Sequence, residues 1–225
     1  VFSRGRNRLD FVTNGTIGRS LDLPDEDISA VLVNETAIFA KRTEEGAFDM
    51  MQVSEQGDVR QRYLLAGPYW RHFGFIRQAG DSILSLSGYR PVVDILMPDT
   101  PDGATLDTLA LVGFDSPQLL RSHQFMLEEV DEPPLLVSSV AWHNDKLYVI
   151  NLRTDHIRID VYGMDGRIRE ALAYTELGAT ANAFPSDIAV REDASGLRLA
   201  LVMQRPGGIL SSPGGHVLML RQPHQ

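Results

Sequence analysis

The sequence predicts an all-β protein, a β-propeller built of four-stranded antiparallel blades, and three observations carry that prediction. Short alternating segments rich in Val, Ile, Leu, Phe and Tyr recur along the 225 residues, each bounded by Gly, Pro, Asn or Asp, which is how strands and tight turns look. A set of markers repeats about every 50 residues, the period of a propeller blade. Helical periodicity is confined to residues 118–129.

The markers are three. A polar turn joins strands a and b at Asn34-Glu35, Ala79-Gly80-Asp81, Asn144-Asp145 and Asp193-Ala194-Ser195-Gly196. Strand b then leads to an arginine four residues after an apolar residue: Arg42 after Ile38, Arg90 after Leu86, Arg153 after Val149 and Arg205 after Leu201. A glycine turn joins strands c and d at Asn14-Gly15, Gln56-Gly57, Asp102-Gly103 and Asp165-Gly166, where glycine tolerates the positive φ of a hairpin. The arginines are spaced by 48, 63 and 52 residues and the glycines by 42, 46 and 63. Both series place one long interval in the same stretch, so an insertion of roughly 15 residues precedes the third complete unit.

In chain order, residues 7–24 form a partial blade, residues 28–66 and 73–114 two full blades, and residues 115–134 the insertion. Residues 135–174 form the clearest blade, with strands at 136–142, 146–152, 157–162 and 167–173; residues 184–221 form a last blade without a fourth strand. All 225 residues are read as one propeller domain. A six-bladed ring at ~50 residues per blade would need ~300 residues, which fits an N-terminal truncation. The alternative is a ring of five blades, or of four and a part, closed by pairing the terminal strands.

Composition excludes several functions. Apolar residues make up 43% and charged residues 23%, ordinary for a chain that buries a core and unlike a disordered one. With 21 basic against 30 acidic side chains, a net charge of −9, the chain lacks the positive field of a general nucleic-acid or anionic-membrane binder. Zero cysteines exclude disulfides, cysteine nucleophiles and thiolate metal sites. No apolar run approaches the roughly 18 residues of a membrane helix, and the N-terminus shows no signal-peptide pattern. The chain opens at Val1, so an upstream segment able to hold a targeting signal is expected.

The stretch "KLYVINLRTDHIRIDVYGMDGRIREAL" followed by "FPSDIAV" resembles the bacterial propellers of the NHL, YVTN and six-bladed type. The shared pattern is Leu-Tyr-Val, a strand ending in Val-Tyr, Asp-Gly, and then Pro-x-Asp-Ile-Ala. The resemblance covers residues 135–204. It implies a propeller exported to the periplasm or the cell exterior, and it is unspecific for activity, since the family holds binding modules, scaffolds and a few enzymes.

In such a blade the b–c and d–a connections emerge on one face. That face is expected to carry Arg42, Arg90, Arg153 and Arg205, with Trp70, Arg71 and His72 on a d–a segment, His156 beside Arg153, and the insertion with Arg121 and His123. One reading makes the four arginines a partial ring that binds a carboxylate, phosphate or acidic sugar, for which a guanidinium fork is suited. The other pairs each with an acid of its own blade, Arg42 with Glu44 or Glu45 and Arg153 with Asp155. Trp70 is either a stacking platform or packing between blades.

No two histidines fall at metal-ligand spacing. Asp187 begins a channel-lining strand, where propeller lactonases carry metal ligands, but the matching positions read Ile28, Phe73 and Leu136, which argues against a metal. No Gly-x-Ser-x-Gly elbow appears, and "RPGGILSSPGGH" lacks the helix of a phosphate cradle. The expectation is therefore a non-catalytic module without metal or cofactor, offering its long-loop face to a protein partner or an acidic small ligand. The insertion would serve as a docking surface. The rival is a hydrolase or lyase in the channel mouth, which needs converging acids or bases.

Overall fold

The computed structural model describes residues 2–3, 6–24, 28–33, 38–44, 47–65, 69–72, 74–97, 105–175, 183–205 and 214–222. Their elements run β1 (Phe2–Ser3), β2 (Arg8–Thr13), β3 (Thr16–Asp22), β4 (Ile28–Val33), β5 (Ile38–Glu44), β6 (Ala47–Val53), β7 (Val59–Leu65), α1 (Tyr69–His72), β8 (Gly74–Ala79), β9 (Ser82–Ser87), β10 (Val92–Leu96), β11 (Thr105–Ala110) and α2 (Leu119–Met126). They continue as β12 (Val137–His143), β13 (Lys146–Asn151), β14 (Ile157–Gly163), β15 (Ile168–Tyr174), β16 (Phe184–Asp193), β17 (Gly196–Arg205) and β18 (Gly214–Gln222).

The strands form antiparallel sheets in sequence order: β1–β3, β4–β7, β8–β11, β12–β15 and β16–β18. These are propeller blades, three with four strands and two with three. The N-terminal sheet holds one strand more than the predicted hairpin, the two-residue β1 paired Phe2 to Leu9 and Ser3 to Arg8. The chain divides into two compact units, Val1–Ser87 with Asp94–Thr108, and Gly88–Val93 with Leu109–Gln225. No helix among the described residues is long and apolar enough to cross a membrane.

Local chemistry sets the turns. Asn14-Gly15 and Asn144-Asp145 hold both central residues at positive φ (50° and 78°, 48° and 55°), the two-residue hairpin that matches strand twist. Gly57 (98°), Gly80 (58°) and Gly166 (73°) supply the same freedom in their turns. The turns read at Asn34-Glu35 and Asp102-Gly103, the loop 206–213 and Phe73 lie outside the described residues.

Alternate side chains of a strand point to opposite faces of its sheet, so within each unit they can enter different cores. In the first unit, Ile38 and Ala40 of β5 and Met51 and Val53 of β6 pack with Leu9, Leu21 and Ile28. The residues between them, Phe39 and Met50, face the other way onto Tyr63, Ile76, Ile83 and Leu96. In the second unit Ile150, Ile159 and Val161 pack with Ile188, Leu199, Leu201 and Met203. Coverage on both faces is why strand b reads Leu147-Tyr148-Val149-Ile150 without polar alternation; all four are buried.

Candidate functional site

A bulge recurs at the start of the innermost strand: between Ile28 and Ala30 in β4, Val137 and Ser139 in β12, and Pro185 and Asp187 in β16. The bulged residues are serines, Ser29, Ser138 and Ser186. Each bulge gives an internal ruler for matching blades. Ile28 pairs with Arg42, Val137 with Asn151 and Pro185 with Met203. Arg42 is thus the counterpart of Asn151 and Met203, and lies two residues before the position shared by Arg153 and Arg205. The four-residue count from an apolar residue slipped here, because alternating strands look alike after a shift of two. By the same ruler Asp187 matches Ala30 and Ser139 rather than Ile28 and Leu136. Its carboxylate accepts from Ser139 Oγ at 2.5 Å, which ties β16 to β12.

The second unit carries the richest polar network. Asp160 of β14 is fully buried; Arg158 Nε donates to its Oδ1 at 2.7 Å and Asn151 Nδ2 to its Oδ2 at 2.7 Å. Arg158 and Asp160 are two apart on a strand and share a face. Asn151 Nδ2 also donates to the Asp115 carbonyl at 2.7 Å, and Arg153 Nη2 to the same carbonyl at 2.5 Å. The Asp115 carboxylate lies 3.3 Å from both Arg153 Nη2 and Arg158 Nη1. Burial opposes the charge of Arg158, and the bonds to Asp160 and Asp115 overcome that and raise its pKa. Burial and the neighbouring Asp160 push the Tyr162 hydroxyl far above its ordinary value.

This network pins the start of the insertion. Ser116 Oγ accepts from Gln118 N–H at 3.2 Å, opening α2, and Ser122 Oγ donates to the Tyr89 carbonyl at 2.7 Å. Glu128, at φ 60°, closes the turn after α2. Between α2, the end of the insertion and the β13–β14 connection lies a cavity of about 380 Å³ lined by Pro117, Gln118, Arg121, Pro134, Leu135, Leu152, Arg153 and Thr154. Gln118 and Arg121 stand three apart and therefore lie on one side of the helix. The ionisable side chains among the lining residues are Arg121 and Arg153.

In the first unit Arg71 and His72 converge on Asp94. Arg71 Nη2 donates to Asp94 Oδ1 at 2.9 Å and Nε to Oδ2 at 3.3 Å; Thr108 Oγ1 donates to Oδ1 at 2.9 Å; His72 Nδ1 lies 3.3 Å from Oδ2. His72 is fully buried. Burial pushes the Asp94 carboxyl up, but the bonds from Arg71 and Thr108 and the charges of Arg71 and His72 outweigh it and hold it below the ordinary range. Asp94 spends its acceptors inside the protein, so this cluster clamps α1 to the sheet.

Among the other candidates, Arg90 and Arg205 are not lining residues of the cavity. Arg90 is half-buried, and Arg205 is exposed at the end of β17. Arg153 pairs with Asp115 of the insertion, while Asp155 pairs with His156 Nδ1 at 2.8 Å. The side chains of Arg42 and Trp70 lie outside the described residues. No group of three or more His, Asp or Glu among the described residues is placed to hold a metal. Sequence reading overlooked Arg158, Asp160 and Asn151. A signal existed: Arg8-Leu9-Asp10 in β2 repeats Arg158-Ile159-Asp160, with the same Nε–Oδ1 bond at 2.7 Å in each.

No protein-family model matches the chain, and no curated protein matches it. Solved structures do. A Myxococcus xanthus glutaminyl cyclase is similar at a TM-score of 0.51 and 13% identity, over 95% of this chain and 83% of that one. A chain of a nidogen–laminin complex is similar at 0.54 and 14%, over 88% and 68%. A Bacteroides ovatus GH43B of a xyloglucan utilisation locus is similar at 0.51 and 8%, over 88% and only 39% of that longer chain. At these identities the likeness is one of fold, and it agrees with the blades described above.

Proposed function

We propose that the protein is a non-catalytic propeller module of the NHL, YVTN and six-bladed kind that binds an acidic ligand in the cavity between the insertion and the β13–β14 connection. The observation that supports this reading is the chemistry of the lining: two guanidiniums, a carboxamide and a hydroxyl beside Leu135, Leu152 and two prolines. Pockets of about 300–1,000 Å³ with an apolar wall and a few placed polar groups are the usual form of small-molecule sites. Catalysis by proton transfer needs a carboxylate, histidine or similar group at hydrogen-bond reach of the ligand, and the lining residues hold none. A protein partner would engage the same face through an acidic side chain. Export from the cytoplasm rests on the resemblance of residues 135–204.

The test is a thermal-shift and calorimetric screen of acidic small molecules and acidic peptides, repeated on Arg121→Ala. A ligand at 100 times its Kd adds about 2.7 kcal/mol of stability, or about 5–11 °C for a chain of this size. Binding that Arg121→Ala abolishes supports the reading. Turnover of a lactone, ester or glycoside at this cavity would replace it with the hydrolase or lyase alternative.

A further inference from the structure

Arg153 has donor capacity that the fold does not use. Its side chain is only 10% exposed, and Nη2 is committed to Asp115. Its Nε–H is sealed from solvent and has no acceptor among the described residues, although the residue lines the cavity. Buried polar groups are almost always satisfied, so such a donor beside a cavity points to an acceptor that arrives with a ligand. The Asp115 carboxylate that faces the same guanidinium is 72% exposed and 3.3 Å away, a loose contact that a better-placed oxygen can displace.

The charge of the surroundings selects the ligand further. Arg121, Arg153 and Arg158 stand against Asp115 and Asp160, so three positive groups less two negative ones leave a net charge of +1. A phosphate monoester, at about −1.5 to −2 near pH 7, over-neutralises that set, and no glycine is among the described lining residues to share the excess. A sugar wants an aromatic platform, and no aromatic is among the described residues that line the cavity. Leu135, which is solvent-exposed, and Leu152 present apolar surface that a hydrophobic body would cover.

We propose that the ligand is a monocarboxylate with a compact apolar body, its carboxylate on the forks of Arg153 and Arg121 and its body on Leu135 and Leu152. This assignment rests on the cavity being the binding site proposed above. A carboxylate meets a guanidinium with two parallel charge-assisted bonds, which a neutral amide head with a single acceptor oxygen cannot reproduce.

The test is calorimetry on the whole chain with four probes: 4-methylpentanoate, its amide, phenyl phosphate and glutarate. The carboxylate is expected to bind roughly tenfold or more tightly than the amide, as charge-assisted bonds are about twice as strong as neutral ones, and more tightly than both dianions. Arg121→Gln, at an exposed position, is expected to weaken the carboxylate more than the amide and so to narrow the gap between them. Asp115→Asn keeps the backbone carbonyl, raises the local charge to +2 and is expected to shift preference towards glutarate and phenyl phosphate. Equal binding of carboxylate and amide, or tighter binding of phenyl phosphate by the unaltered protein, overturns the monocarboxylate assignment and leaves the cavity as a site. Silence of all four probes, with acidic peptides also silent, overturns the site itself.

Discussion

Replacing Asp160 by asparagine is the sharpest perturbation of the network that holds the insertion. The substitution preserves shape and removes the charge, while turning one acceptor oxygen into an N–H₂ group. Both oxygens of Asp160 now accept, from Arg158 Nε and from Asn151 Nδ2, each at 2.7 Å. Whichever way the new amide settles, one donor faces another, and the guanidinium of Arg158, whose side chain is 19% exposed, loses its buried counter-charge. Breaking a fully buried pair costs about 3–5 kcal/mol. Arg158 retains some solvent and the exposed carboxylate of Asp115, so the expected loss is about 2–4 kcal/mol, or roughly 4–16 °C in Tm for a chain of this size. That is a large share of a typical stability of about 5–15 kcal/mol.

Urea denaturation followed by tryptophan fluorescence gives the magnitude, and hydrogen exchange gives the location. Asn151 bridges Asp160 to the Asp115 carbonyl, so amides of residues 116–123 are expected to exchange faster, while those of β5 and β6 stay unchanged. A double-mutant cycle with Arg158→Met should return a coupling of about 1–3 kcal/mol for residues in direct contact. A loss below about 1 kcal/mol, in the range of an exposed pair, would refute the argument that Asp160 organises this region.

Other expected outcomes follow from single features. Gly166→Ala should destabilise strongly, because its Cβ would lie 2.3 Å from the Ala110 carbonyl at φ +73°, whereas Gly15→Ala, at φ +78° with nothing within 4 Å, should cost about 1–2 kcal/mol of backbone strain alone; parallel thermal melts decide. Ser139→Ala removes a bond to Asp187 from a fully buried serine and should cost about 1–3 kcal/mol. Asp94 has a lowered pKa, so its contribution is present above the unfolded value of about 3.9 and is lost as pH falls through the lower folded value. The stability gap between the protein and Asp94→Asn should therefore be widest near neutrality and close below about pH 4, as urea midpoints across the acid range would show.

Legibility followed the range of the forces involved. Turns such as Asn14-Gly15 and Asn144-Asp145 were readable because positive φ is a demand on the residue itself, met by few side chains. The blade at residues 135–174 was readable nearly strand for strand, since such turns join β12 to β13 and β14 to β15 and the strands are filled with residues suited to a doubly covered strand. Helix 119–126 fell inside the one stretch with helical periodicity. Register was less legible. Arg42 and Arg153 look equivalent along the chain, and the Ser29 and Ser138 bulges show that they are not.

The site was harder still, because its partners are chosen in space. Nothing near Arg153 in sequence announces Asp115, 38 residues earlier, and the adjacent Asp155 was the natural guess. Likewise His72 and Arg71 stand on a loop-like segment, yet Asp94 draws both onto the sheet. The useful local signal was a repeat of a different kind, Arg-x-Asp at the start of a strand, which places a charge pair on one face by pleat geometry. In β2 that pair meets Ser20, whereas in β14 it meets Asn151 and, through it, the insertion. The same two-residue device thus stiffens one blade and, in another, anchors the segment that builds a cavity, and the difference lies in what the chain inserted beside it.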